Sequence, residues 1–227
     1  MKTLKGTILV CLLSIASFAN AQFANSSASV ATASQDGWDN FHISYNSTSV
    51  DVDGSEFDID NLTGIEVGYS KVTPISNTMP LFLEAGASVV WAFGDLYDEK
   101  YDNGYYYERY KASASLLSVK VPFNLIYKFD VNENFSILPF AGVYLKGNIL
   151  GTLTLEQENY YDSYSEDLDI FDEDDVDGGN RFQYGMNIGA KCKINNCTLG
   201  VSYAFDFNEL MEDTKVSSLN FSVGFNF

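Results

Sequence analysis

Few residues in this chain have the type and spacing to do chemistry. The sharpest group is the stretch DEDDVDGGN, where Glu173, Asp175 and Asp177 stand at alternate positions before Gly178. A calcium loop presents carboxylates at that spacing and closes with a bidentate Glu at its twelfth position. Here Tyr184 takes the closing place. The stretch therefore reads as a solvated charge run or as a loose divalent-cation site, and weakly held Ca2+ is the one cofactor to expect. Nucleophile, His and carboxylate chemistry needs an imidazole, and the chain has one, His42. With no second His and no Cys cluster beside it there is no zinc set, so an internal hydrogen-bonding role is expected. Cys192 and Cys197 flank Lys193 to Asn196. Residues facing each other across a short hairpin approach the separation a disulfide requires. The spacing is not the C-x-x-C of a redox pair, so a structural disulfide is expected.

The other charges of interest sit inside segments that alternate with a period of two, the signature of half-buried strands. Eight such segments follow one another. Phe41, Ile43 and Tyr45 open the series, and Ile65, Val67 and Tyr69 continue it. Leu81 to Phe93, Leu117 to Phe129 and Phe135 to Leu145 carry the third to fifth, with Phe182 to Ala190, Leu199 to Phe207 and Leu219 to Phe227 completing the set. The opposite face holds Ser44, Glu66, Glu84, Lys120, Asn124, Lys128, Lys146 and Asn187, too polar a group for a protein core. If the apolar face meets lipid, that polar face is enclosed, and Glu66 and Glu84 can form lumen ion pairs with Lys120, Lys128 and Lys146 that offset the cost of enclosing them. The fold expected is all-β, a closed eight-stranded antiparallel up-and-down transmembrane β-barrel. The inverse arrangement, a soluble ligand-binding barrel with its apolar face inside, is the alternative. Aromatic residues near strand ends, such as Trp91, Phe93, Phe129 and Phe135, suit the girdles of a membrane barrel. Long connections near 47–60, 94–110, 151–180 and 208–215 alternate with short ones, as external loops alternate with periplasmic turns. Pro122 and Pro139 fall inside strands, where Pro removes a ladder hydrogen bond, so a bulge is expected near both.

Composition and the N-terminus add an address. The 31 acids against 13 Lys and Arg give a net charge of −18, which argues against nucleic acid as a partner. Lys2 and Lys5, the apolar run from Gly6 to Phe18 and the small residues Ala19 and Ala21 read as a signal peptide over 1–21. A flexible leader over 22–37 and a barrel domain over 38–227 follow. Most of the acids fall in the long connections, making the outer surface an anionic cap that could bind cations and, through them, lipopolysaccharide. Tyr97, Tyr101, Tyr105, Tyr106, Tyr107 and Tyr110 crowd the second of these connections. Such a cluster serves either as a binding surface or as self-packing.

The alternating aromatics that end on Phe227, the segment VPFNLIYKFDVNENFSILPFAGVYL and the signal peptide together resemble the small porin-like outer-membrane β-barrel family of Gram-negative bacteria. That resemblance implies export to the bacterial outer membrane, with Phe221, Phe225 and Phe227 as the recognition signal for the barrel-assembly machinery. It implies contact with outer-membrane lipid and lipopolysaccharide, and a monomer is the expectation. Barrel enzymes of that membrane, lipid A deacylases and phospholipases, combine His, Ser and carboxylate. The single His42 falls on the inward face of the first strand, so a non-enzymatic protein is expected. Its role would be outer-membrane integrity or surface interaction and adhesion, with a surface ligand or host partner. The second reading is a narrow porin-like channel for small solutes or ions.

Overall fold

The computed structural model describes residues 36–52, 60–172 and 179–227. The segment expected as a signal peptide, most of the leader and the acidic group Glu173, Asp175 and Asp177 lie outside the described residues. The described residues form an all-β antiparallel sheet of ten strands. These are β1 (Trp38–Val52), β2 (Leu62–Pro74), β3 (Leu81–Asp102), β4 (Tyr107–Tyr127), β5 (Phe129–Asn132), β6 (Phe135–Asn159), β7 (Ser163–Asp169), β8 (Phe182–Ile194), β9 (Cys197–Asp206) and β10 (Thr214–Asn226).

Pairing follows chain order and returns on itself. β1 pairs with β2 and with β10, while β4 pairs with β3 and with β6. The ring of pairings passes through β1, β2, β3, β4, β6, β8, β9 and β10. β5 resumes the line of β4 after Lys128. β7 folds back on β6 through Thr152 to Glu158, above the stretch Phe135 to Gly147 where β6 pairs with β8. The β8–β9 link is two residues long, and Asn195 takes a φ of 52° in it, a left-handed conformation that Asn tolerates.

Which face is enclosed decides everything downstream. Phe221 is 50% exposed, Val201 44% and Phe123 41%, whereas Glu84 is 2% exposed and Glu66, Ser70, Asn124 and Gln183 are buried with it. The apolar stripes therefore face outward and the polar stripes face each other across the interior. Since the side-chain period is two, a slip of one residue in any pair would exchange these faces, which ties the register to the pattern. The soluble alternative, with its apolar face inside, does not hold.

Two apolar clusters cap the polar interior. Val72, Phe82, Ile126, Leu138 and Phe140 form the first, at the end where the connections are short, with Trp38 packed on it. The Trp38 and Phe82 rings lie 5.1 Å apart. At the other end Leu116 and Val216 meet Leu210, Met211 and Phe171, which the long connections bring over the opening.

The prolines correct an expectation. No bulge accompanies Pro122 or Pro139. The β4–β6 register runs unbroken past Pro122, opposite Tyr144, and the β6–β8 register runs past Pro139, opposite Ala190. What is lost is pairing on the other side: the β3–β4 ladder skips from Ala85–Phe123 to Ser88–Lys120. The ladder of β6 likewise skips from Ile126–Phe140 to Phe129–Ile137. A strand residue points its N–H to one neighbour only, so a proline interrupts one ladder while the other continues. The register shifts lie at Asp95/Tyr97 on β3, at Leu117/Ser118 where β4 meets β6, and at Asp130/Asn132 near the tip of the β5–β6 hairpin, several residues from either proline.

Candidate functional site

Inward positions of the strands build a belt of three charge pairs between the two caps. Lys120 on β4 places its Nζ 2.9 Å from Glu66 Oε2 on β2. Ser88 donates to the other Glu66 oxygen at 2.6 Å, and His42 Nε2 stands 3.8 Å from it. Gly68 makes room for that imidazole, since a Cβ there would stand 2.7 Å from the ring. Lys191 on β8 crosses the interior to both oxygens of Glu84, at 2.6 and 2.8 Å. Ser70 and Asn124 donate to the same carboxylate, each at 2.8 Å. Near the other cap Asp206 accepts from Lys146 at 2.7 Å, from Gln183 at 2.7 Å and from the Tyr144 hydroxyl at 2.5 Å. Cavities of about 60 and about 40 Å³ remain around these groups, room for a few waters.

Of the residues expected to pair in the lumen, Glu66 and Lys120 come together. Glu84 and Lys146 take partners that were not expected, Lys191 and Asp206. Lys128 stands apart, 2.9 Å from Asp130 on β5. Asp206 lies at the junction with the acidic connection 208–215 and reads as one of its acids, yet it shares its parity with Ser202 and Ala204 on β9, which is the signal that turns it inward. The disulfide is a correction: Cys192 and Cys197 are both free. Cys192 stands opposite Leu199 and Cys197 opposite Ile194, so the two share a face but sit diagonally, roughly 7–8 Å apart. That exceeds the reach of a disulfide. Among the described residues no group of three His, Cys, Asp or Glu could hold a metal ion.

A second feature stands beyond the far cap. Segments expected as loops near 94–110 and 151–180 are largely strand: β3 and β4 pair as far as Asp102 and Tyr107, and β6 pairs with β4 and β7 as far as Asn159. Both faces of this four-stranded wall are wet, so it lacks the one-sided apolar stripe that marks strands in the ring. β4 contributes no extra residue at either register shift, so its even positions, from Leu116 through Ala112 to Tyr110, continue the interior face, and its odd positions the exterior.

The two faces handle charge differently. On the exterior face most acids meet cations: Arg109 donates to both oxygens of Asp98 at 2.7 and 2.8 Å, Lys111 lies 3.0 Å from Asp95, and Lys100 sits over the Tyr107 ring at 5.2 Å, while Glu158 accepts from the Tyr107 hydroxyl at 3.1 Å. The guanidinium holds the Asp98 carboxyl below its ordinary value. On the interior face acids meet phenols. Tyr106 and Tyr110 both donate to Glu108 at 2.6 Å, Tyr164 donates to Glu166 at 3.2 Å, and Tyr97 bonds Glu99. The two hydroxyls keep the Glu108 carboxyl below its usual value, because they bond its charged form. Tyr97, Tyr110, Ala112, Leu155, Gln157, Tyr164 and Glu166, with Lys111 and Glu156 at its border, surround a pocket of about 340 Å³ on this face.

A strand ring with an apolar exterior and an enclosed polar belt defines a membrane β-barrel class of protein. The family model of the outer membrane protein beta-barrel domain matches residues 9–227. The chain belongs to that family, and its place is the bacterial outer membrane. Among solved structures it is similar to Ail of Yersinia pestis in complex with the heparin analogue sucrose octasulfate. The identity is 16%, covering 85% of this chain and 99% of that one, with a TM-score of 0.42. Neisserial surface protein A matches at 11% identity over 84% of this chain and 97% of its own, with a TM-score of 0.38. The outer membrane enzyme PagL matches at 13% over 82% and 98%, with a TM-score of 0.40. No curated protein matches the chain.

Proposed function

We propose that the chain is a closed eight-stranded transmembrane barrel with a plugged lumen, whose task is surface interaction through the wall that rises beyond its outer rim. The observation that carries this reading is the contrast between ring and wall. A transmembrane strand needs about 9–11 residues, which β1, β2, β8, β9 and β10 match or slightly exceed with 10 to 15. β3, β4 and β6 have 22, 21 and 25, so about ten residues of each, on the order of 30 Å of strand, stand outside the membrane. Ordering so much polar backbone is costly and supports a role for the wall itself.

The interior supports a plug. An eight-stranded ring has space for side chains and little else. Here two apolar caps close both ends of a belt whose charges are paired. The narrow-channel reading needs a wet path through both caps. A non-enzymatic reading is supported by His42, whose neighbours Glu66 and Ser88 are bonded to each other and enclosed.

Two measurements test the proposal. In planar bilayers the refolded protein is expected to be silent, and stable single-channel steps would establish the channel instead. A variant with residues 98–111 and 156–165 each replaced by Asn-Gly is expected to assemble in the outer membrane while cells bearing it lose attachment to surfaces. Unchanged attachment by the shortened protein would remove the surface role.

A further inference from the structure

The wall keeps its cations on one side and leaves its interior face with carboxylates that only neutral groups satisfy. Arg109, Lys111 and Lys100 all serve the exterior face, and Lys111, although it borders the pocket, turns its ammonium to Asp95. Glu99, Glu108 and Glu166 form no ion pair among the described residues. Their partners are the hydroxyls of Tyr97, Tyr106, Tyr110 and Tyr164, with Gln157 at 3.4 Å from Glu108. A phenol satisfies a carboxylate's lone pair without cancelling its charge, so the face stays anionic, and Tyr110 and Tyr164 remain 45% and 62% exposed.

We propose that this pocket binds a small organic polyamine, whose alkyl segments lie on Tyr97, Tyr110, Leu155 and Tyr164 and whose ammonium groups reach Glu166 in its lining and, beyond its edge, Glu108, which the Tyr110 hydroxyl holds there. The proposal rests on the reading above that the wall faces the cell exterior. Its size, about 340 Å³, lies in the range of small-molecule sites. Aromatic faces attract ammonium groups, and adjacent carboxylates add to that attraction. The spacing selects a chain with separated charges. Glu108 stands opposite Asn159, and Glu166 opposite Leu155 on the same strand. The two acids are therefore roughly 13 Å apart along the strands and roughly 10 Å across them, a span for a polyamine and too wide for one quaternary ammonium. A polyanion is excluded by the sign of the face. A neutral sugar would need hydroxyl donors and acceptors that the tyrosines have already committed to carboxylates.

The test is calorimetric titration of the full chain in lipid nanodiscs with spermidine, in excess magnesium to cover non-specific cation sites. Saturable one-site binding is expected. Glu108→Gln and Glu166→Gln should each weaken it roughly threefold, and together about tenfold, the size of effect for exposed charge pairs. Glu158→Gln, on the exterior face, should leave it unchanged. Absence of saturation, equal loss with Glu158→Gln, or binding of a neutral disaccharide at the same site would overturn the proposal. Titration of intact cells separates this inference from the reading it rests on. Binding in nanodiscs that fails on cells would sink the outward orientation of the wall and leave the pocket standing. Attachment that depends on the wall, without polyamine binding, would sink the pocket alone.

Discussion

At the scale of single residues the belt is a set of enclosed charges that hold only as pairs. Removing one member leaves the other buried and uncompensated, at a cost of about 3–5 kcal/mol. Lys191→Met is therefore expected to lower the denaturant midpoint of the refolded protein markedly, while Lys191→Met with Glu84→Gln recovers much of the loss. Recovery of nothing by the double variant would show that Lys191 acts through packing over the Phe140 ring, 5.1 Å away, instead of through charge. On the wall the Asp98–Arg109 pair gives a pH dependence. A carboxyl whose folded value is depressed contributes stability that is present above its unfolded value and lost as pH falls through the lower, folded one. Protection of the β3–β4 tip from protease should then hold above about pH 4, the ordinary range of an Asp, and fall away below it. Asp98→Asn should remove that dependence. The parity of strand residues made Glu66 and Lys120 legible as enclosed partners. Asp206 was missed because the last residue of β9 looked like the first of a loop, and Lys191 because parity gives a face but no partner across the interior.

At the scale of elements, every strand of the ring could be read from the sequence, since lipid on one side and a packed belt on the other impose strict alternation. The wall could not. With water on both faces, segments such as DEKYDNGYYYERYK keep their strand propensity in Tyr but show no apolar stripe, and charge density there mimics a loop. The cysteines show a similar limit: spacing told of a hairpin, whereas the two-residue turn that sets the register, and so the diagonal, comes only from the fold. Close approach between strands is another property that composition hides. A Cβ on Gly142 would run into the Phe123 carbonyl oxygen, whereas one on Gly147 would meet nothing within 4 Å. Both lie on β6. Gly142→Ala is expected to part β6 from β4 at a cost of about 1–3 kcal/mol or more, read as loss of the heat-modifiable band on gels. Gly147→Ala should fold like the parent. Equal behaviour of the two would mean that β6 shifts freely against its neighbour.

At the scale of the whole molecule, the ring and the wall share strands but answer to different solvents. The ring is held by hydrogen bonds that lipid leaves no alternative for, while the wall rests on exposed pairs that salt can screen. Raising ionic strength should therefore loosen the wall first. Amide exchange of Asp98 to Tyr110 in detergent should accelerate with salt while that of β1 and β10 stays slow, and parallel acceleration of both would mean that the two parts unfold together.

Because β3, β4 and β6 each continue from the ring into the wall, a pull applied at the wall's tip would arrive as shear along strands embedded for much of their length. Many ladder bonds would have to yield together before any one strand slipped. In the surface role proposed above, such a barrel would grip hardest when pulled straight outward, the direction in which a cell drifting from a surface would pull.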